Sequence, residues 1–275
     1  MSKTIKVGSV CIGGTHPLAL IAGPCVIEPR KGCMDLAERL VRLAHQEKIP
    51  LIFKASYDKA NRTSIQSYRG PGIAKGLAIL AEIKEQYQVP ILVDVHNVSE
   101  IPVATEVADI LQLPAFLCRQ TDLLIALGKS GKPVNVKKGQ FLAPWDVRHI
   151  IGKLESTGLQ KILLTERGTS FGYNNLVADM RSLLIMQAYE YPVIFDATHS
   201  VQLPGGAGDT TNGDGKWAPY LARAAVATGC DAVFLETHLH PEEALSDKAN
   251  AIPFSALKKL WKQLNAIDKV VTAKP

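Results

Sequence analysis

Eight short apolar runs, each followed by a stretch of helical spacing, govern what this chain can fold into. The runs are 18–27, 50–56, 90–96, 109–116, 133–138, 161–167, 193–199 and 231–237. They have the aliphatic, β-branched character of strands buried on both faces. Between them, 34–48, 73–88, 99–107, 121–129, 144–156, 174–189 and 217–228 repeat apolar residues at helical steps. An eighth pattern closes the chain with Phe254, Leu257, Leu260, Trp261, Leu264 and Ile267. Gly158, Gly229 and prolines at 50, 90, 133 and 192 separate helix from strand. Eight α/β units without a break in composition predict a single (β/α)8 TIM barrel. The predicted domain spans residues 1–275, with the barrel at 18–270. Two β-prone runs around Gly8, ended by Gly13-Gly14, predict an N-terminal β-hairpin over 1–14 that plugs one end. A doubly wound open sheet is the runner-up, and no GxGxxG follows the first strand to support it.

Composition narrows the function. The 275 residues suit a barrel, whose usual size is about 250. A hydrophobic content of 47% excludes disorder. No apolar run approaches the roughly 20 residues of a membrane span. The amino terminus lacks the apolar core, roughly 7–15 residues long, of a signal peptide. A soluble, cytoplasmic protein with no membrane partner is expected. A net charge of +5 without a basic tail disfavours nucleic acid and fits an acidic small molecule. Five cysteines without CxxC spacing argue against a disulfide framework or a zinc finger.

In such barrels the reactive residues lie at the carboxyl ends of the strands. Here those ends carry Cys25, Lys54 and Ser56, Asp94 and His96, and Gln112 and Phe116 with Arg119 beyond. They continue with Asn135, Lys137 and Lys138, Glu166 and Arg167, Asp196 and His199, and Glu236 and His238. Strand alternation turns Lys54, Ser56, Asp94, His96, Asn135 and Lys137 into the mouth. It sends Phe53, Val93, Val95 and Val136 to the helices and makes Lys138 the outward lysine. Parity around strands 6 and 7 stays open, because one bulge reverses it.

Two constellations emerge at the mouth. Lys54, Lys59, Lys137 and Arg167, with Arg62 and Arg119, gather cations that repel one another. An anionic ligand would compensate them, as phosphates and carboxylates do in charge-assisted pairs. The alternative is internal pairing with Asp94 and Glu166. Cys25, His199, Glu236 and Asp247 offer sulfur, nitrogen and oxygen donors suited to Zn²⁺, Fe²⁺ or Mn²⁺. They come from distant segments, so a core role for Cys25 remains the alternative.

Long, ordered motifs add to this reading. They are AGPCVIE (22–28), FKASYDKANRTSIQSYRGPG (53–72), LQLPAFLCRQTDLL (111–124) and VNVKKGQFLAPWD (134–146). TERGTSFGYNNL (165–176), DATHSVQLPGG (196–206) and ETHLHPEEALSD (236–247) complete the set. Over essentially its whole length the chain resembles the 3-deoxy-D-manno-octulosonate 8-phosphate synthases. The resemblance implies a (β/α)8 barrel, usually a homotetramer. The implied reaction condenses phosphoenolpyruvate with D-arabinose 5-phosphate and water and releases phosphate, feeding lipopolysaccharide assembly in Gram-negative bacteria. Metal-independent members resemble GMN at the end of strand 1, with asparagine at the ligand position, whereas this chain has Gly23-Pro24-Cys25. The resemblance thus implies a divalent ion on Cys25, His199, Glu236 and Asp247.

By the same carry-over, phosphoenolpyruvate meets Lys54, Ser56, Lys59, Lys137 and Arg167. The aldose phosphate meets Asn61, Arg62, Thr63 and Ser64, with Phe116 and Arg119 entering from a neighbouring subunit. Thr63 stands where many members have serine; it keeps the hydroxyl and adds a methyl. Gln112 completes the substrate-binding candidates. Lys137, Arg167, Asp94 and His199 are the catalytic ones. Three other readings remain: a 3-deoxy-D-arabino-heptulosonate 7-phosphate synthase using erythrose 4-phosphate, a Schiff-base aldolase on Lys54 or Lys137, and a non-catalytic sugar-phosphate barrel.

Overall fold

The computed structural model of the chain describes residues 2–205 and 212–272, and in it the predicted strands close into a parallel ring. The ring runs β3 (Ala19–Gly23), β4 (Leu51–Lys54), β5 (Ile91–Asp94), β6 (Ile110–Leu113), β7 (Val134–Lys137) and β8 (Ile162–Glu166). It continues with β11 (Val193–Asp196) and β14 (Ala232–His238), and β14 pairs with β3 to close it. Helices α1 (Arg30–Glu47), α2 (Ile73–Tyr87), α3 (Ile101–Val107) and α4 (Thr121–Lys129) follow the first four strands. The later strands are followed by α5 (Val147–Glu155), α6 (Arg181–Gln187), α7 (Ala218–Thr228) and α8 (Phe254–Thr272). This is the predicted (β/α)8 barrel.

The period-two pattern sorts the core into two layers, as expected. Ile21, Ile52, Leu92, Leu163, Ile194 and Phe234 point inward and form one cluster. Phe53, Val93, Val95 and Val136 belong to the other, packed under the helices. Strands β1 (Ile5–Val7) and β2 (Val10–Ile12) pair antiparallel as the predicted hairpin. Their Ile5, Val7, Val10 and Ile12 join the inner cluster, so the hairpin stops the amino-terminal end of the barrel. Only the carboxyl end is left for chemistry.

One predicted helix is largely wrong. The segment 174–180 is not helical, and α6 begins at Arg181. Instead β9 (Thr169–Ser170) and β10 (Leu176–Val177) form an antiparallel hairpin, with Asn174 in the left-handed region at φ 54°. Asn tolerates that conformation. The apolar spacing of Leu176, Met180 and Leu183 imitates a helix that starts before Arg181. The predicted strand 18–27 also ends early, at Gly23, where an added Cβ would strike the Lys54 carbonyl oxygen. Beyond it only the isolated bridge Val26–Ser56 persists. A short pair, β12 (Gln202–Leu203) with β13 (Asn212–Gly213), brackets the loop after β11, and β15 (Ile252–Pro253) lies beside the end of β14. Gly206, the last residue of the 196–206 motif, lies outside the described residues. Among those described, no helix is long and apolar enough to cross a membrane.

Candidate active site

Phe234 floors the open end of the barrel, its ring buried beneath two lysines. Lys137 Nζ lies 3.9 Å from the ring centroid and Lys54 Nζ 5.6 Å away, within reach of its negative face. Each lysine also has carboxylate partners. Lys137 donates to Asp196 Oδ2 at 2.5 Å. Lys54 donates to Glu236 Oε1 at 3.2 Å, to Ser56 Oγ at 3.0 Å and to the Cys25 carbonyl at 3.1 Å. Asp94 Oδ2 lies 3.6 Å from Lys54 and accepts a short hydrogen bond from Ser56. Lys59 Nζ stands 3.6 Å from Glu236.

These pairs decide the protonation of the floor. Burial pushes the carboxyls of Asp94, Asp196 and Glu236 up, but the surrounding cations more than reverse it and hold all three below the usual carboxylate range. For Asp94 those cations are Lys54, Lys59 and Lys137. Lys137 goes the other way: loss of water outweighs Asp196 and lowers its pKa. Glu166 turns outward, 3.5 Å from Lys138, which confirms Lys138 as the outward lysine. The mouth lysines thus pair with Asp94, Asp196 and Glu236 rather than with Glu166. Arg167 differs, because its buried Nη1 has no hydrogen-bond partner among the described residues.

Beside the lysines, Cys25, Glu236 and Asp247 bring one ligand atom each within 4.8 Å of one another. The Cys25 thiol donates to Asp247 Oδ2 at 3.1 Å and contacts Ser246 Oγ at 2.7 Å. Burial, then Glu236, raises its pKa well above that of a free thiol. His199 follows β11 in a single helical turn and directs Nε2 at this group, 3.5 Å from Glu236 Oε1 and 3.9 Å from Asp247 Oδ2. Its Nδ1 lies 2.7 Å from Asp196 Oδ2. That contact fixes the tautomer with Nε2 free, as second-sphere carboxylates do for metal-binding histidines. Sulfur, nitrogen and two carboxylates form a donor set for a borderline divalent ion.

Above this floor opens a cleft with two lobes. The inner, of about 180 Å³, is lined by Lys54, Lys59, Asp94, His96, Lys137 and Arg167, among others. The outer, of about 370 Å³, is lined by Asn61, Arg62, Thr63, Ser67, Gln202 and Asp247, among others. Lys59, Asn61, Phe116, Gln140, Arg167 and His199 border both, so the lobes are continuous. Ser56 and Gln112 lie beneath the cleft and buttress Asp94; Gln112 Nε2 donates to Asp94 Oδ1 at 2.5 Å. Ser64 lines neither lobe, and its hydroxyl accepts from the Gln66 amide at 3.3 Å. Arg119 is exposed and borders neither lobe of its own chain.

The sequence model of the DAHP synthetase I family matches residues 2–273. The chain belongs to that family. Its relatives include proteins named 2-dehydro-3-deoxyphosphooctonate aldolase. The one from Geobacter metallireducens is 56% identical over 271 residues, covering 98% of this chain and 100% of the relative. Those from Geotalea uraniireducens and Geobacter sulfurreducens are 58% and 54% identical over the same shares.

Several residues of this family member were not assigned roles from sequence. Asp196 was visible at a strand end, but undecided parity hid that it serves both Lys137 and His199. Gln202 accepts from Arg167 Nη2 at 2.5 Å and donates to Asp247 at 3.3 Å, joining the cationic side to the acidic cluster. Ser246 accepts from Arg62 Nη2 at 2.5 Å while touching Cys25. Gln202 begins the two-residue strand β12 and Ser246 sits in a loop, and neither lies in a run long enough for periodicity to mark it.

Proposed function

We propose that this chain condenses phosphoenolpyruvate with D-arabinose 5-phosphate and water to give 3-deoxy-D-manno-octulosonate 8-phosphate and phosphate, a step toward lipopolysaccharide precursors. The observation that carries this reading is the buried Arg167 Nη1, unpartnered among the described residues, beside Lys54 and Lys137 in the inner lobe. A buried guanidinium with a spare donor calls for an anion that can accept from it. The names of the relatives agree with this product.

In this scheme Lys54, Lys59, Lys137 and Arg167 hold the carboxylate and phosphate of phosphoenolpyruvate in the inner lobe, with Ser56 steadying Lys54. Asn61, Arg62, Thr63 and Ser64 belong to the segment that takes the aldose phosphate. C3 of the enol attacks the aldehyde carbon, and water adds at C2. The tetrahedral intermediate then loses phosphate by C–O cleavage. Lys137 and Arg167 offset the charge that builds on it, fixed in place before the reaction. Burial lowers the pKa of Lys137, which suits it to release a proton to the forming alkoxide. Asp94 stays ionised and keeps Lys54, Ser56 and Gln112 aligned.

Cys25, His199, Glu236 and Asp247 would hold a divalent ion such as Zn²⁺, Fe²⁺ or Mn²⁺. Bound there, the ion supplies Lewis-acid polarisation or orientation of an oxygen ligand. A homotetramer, with Arg119 reaching a neighbouring cleft while Phe116 borders the cleft of its own chain, completes the proposal.

Steady-state comparison of two aldoses tests the reaction. Arabinose 5-phosphate is expected to give a much higher kcat/KM than erythrose 4-phosphate, which is one carbon shorter. Equal or better turnover of erythrose 4-phosphate overturns the assignment. Arg62→Ala is expected to raise KM for the aldose phosphate about 10- to 100-fold, the loss of one charge-assisted contact, with KM for phosphoenolpyruvate nearly unchanged.

A further inference from the structure

Gln140 stands where the two lobes meet and lines both. It is 8% exposed, and its Oε1 has no hydrogen-bond partner among the described residues. Its backbone is fixed, because the carbonyl accepts from the Ser170 amide at 2.9 Å and so ties the end of β7 to β9. A buried acceptor on a fixed backbone, without a donor, is costly unless a ligand supplies one.

The two proposed substrates differ in what they can supply. Phosphoenolpyruvate presents carboxylate and phosphate oxygens and has no hydroxyl. Its oxygens match the spare donor of Arg167 Nη1, which borders the same junction. They cannot satisfy Oε1 of Gln140. An aldose phosphate carries hydroxyl groups along its chain, and a hydroxyl donates. The junction therefore holds one unpaired donor suited to the anion and one unpaired acceptor suited to the polyol.

We infer that Gln140 accepts a hydrogen bond from a hydroxyl of the aldose phosphate and is a specificity-determining residue of this reaction. The inference rests on the proposed function for the identity of the two substrates. A site built around a hydrogen bond to a substrate hydroxyl rejects the analogue lacking it, because its own polar group is then left unpaired.

The test pairs Gln140→Met with three monodeoxy analogues of arabinose 5-phosphate, lacking the hydroxyl at C2, C3 or C4. Gln140→Leu serves the same comparison where the methionine variant does not fold. The variant is expected to lose about 10-fold in kcat/KM for arabinose 5-phosphate, with KM for phosphoenolpyruvate within about twofold of wild type. For one analogue, wild type and variant are expected to agree within about twofold, because enzyme and substrate then lack the two halves of one bond. A merely structural role would slow all four sugars by the same factor, and that result overturns the inference. So does a loss confined to phosphoenolpyruvate. Wild-type enzyme inactive with arabinose 5-phosphate refutes the proposed function itself. An active wild type without coupling to any hydroxyl refutes only the role of Gln140.

Discussion

Asp196 accepts a hydrogen bond from His199 Nδ1 at 2.7 Å while the other face of the imidazole looks toward Glu236 at 3.5 Å. One carboxylate oxygen, Oδ2, thereby sets the tautomer of the histidine and also accepts from Lys137 at 2.5 Å. It links the cation floor to the group of soft donors.

Asp196→Asn is expected to weaken divalent-metal binding by roughly 10- to 100-fold, the usual effect of removing an outer carboxylate from a metal-binding histidine. An asparagine amide can present its NH₂ to Nδ1 and stabilise the tautomer that blocks Nε2. Competition against a chromophoric chelator measures the change. Wild-type affinity in the variant would show that Asp196 does not orient His199.

Acid should unfold the metal-free protein through the same carboxylates. Burial raises the pKa values of Asp94, Asp196 and Glu236, but neighbouring cations pull them below their unfolded values of about 4. Groups with depressed folded pKa values contribute stability that is fully present above the unfolded value and lost as pH falls below it. Buried Glu166 has a raised pKa and acts in the opposite sense, offsetting part of this. Tm is expected to hold between about pH 7 and 5 and to drop below about pH 4. A Tm that rises on acidification below pH 4 contradicts this balance of charges.

Phe116 is 52% exposed yet borders both lobes, whereas Arg119 is exposed and lines neither lobe of its own cleft. If Arg119 serves a neighbour, mixed oligomers of Arg119→Ala and Lys137→Ala should regain activity that neither variant has alone. Some sites in a hybrid then combine an intact Lys137 with an intact Arg119. Absence of recovery, with subunit exchange shown by mass spectrometry, would place each site within one chain.

The strand–helix alternation was legible because buried strands and amphipathic helices have different periods, and parity placed Lys54, Asp94 and Lys137 correctly. Where the pattern broke, legibility ended. Nothing local fixes the facing of Glu166 and Asp196: Glu166 follows polar Thr165 with no polar residue two before it, and Asp196 follows the continuous apolar run Val193-Ile194-Phe195. The hairpin of β9 and β10 was hidden because Leu176, Met180 and Leu183 keep a helical interval from β10 into α6, just after the turn that Asn174 permits. The cation cluster was visible, but its internal compensation depends on Glu236 and Asp196, which only the closed ring brings beneath the lysines. The donor types of Cys25, His199, Glu236 and Asp247 were legible, but spacing marked them only faintly, because they lie on four separate segments, and the resemblance joined them into one set.

Phosphate release by metal-stripped protein supplied with phosphoenolpyruvate and arabinose 5-phosphate tests the central claim most directly. The raised thiol pKa of Cys25 means that an incoming ion must displace a proton, so metal affinity should fall with falling pH. Stripped wild type is expected to be inactive and to recover on addition of Mn²⁺, Zn²⁺ or Fe²⁺. Cys25→Ser is expected to bind metal poorly and to stay inactive. Full turnover by wild-type protein with no metal detectable by elemental analysis would contradict the account and return Cys25 to the role of a small core residue.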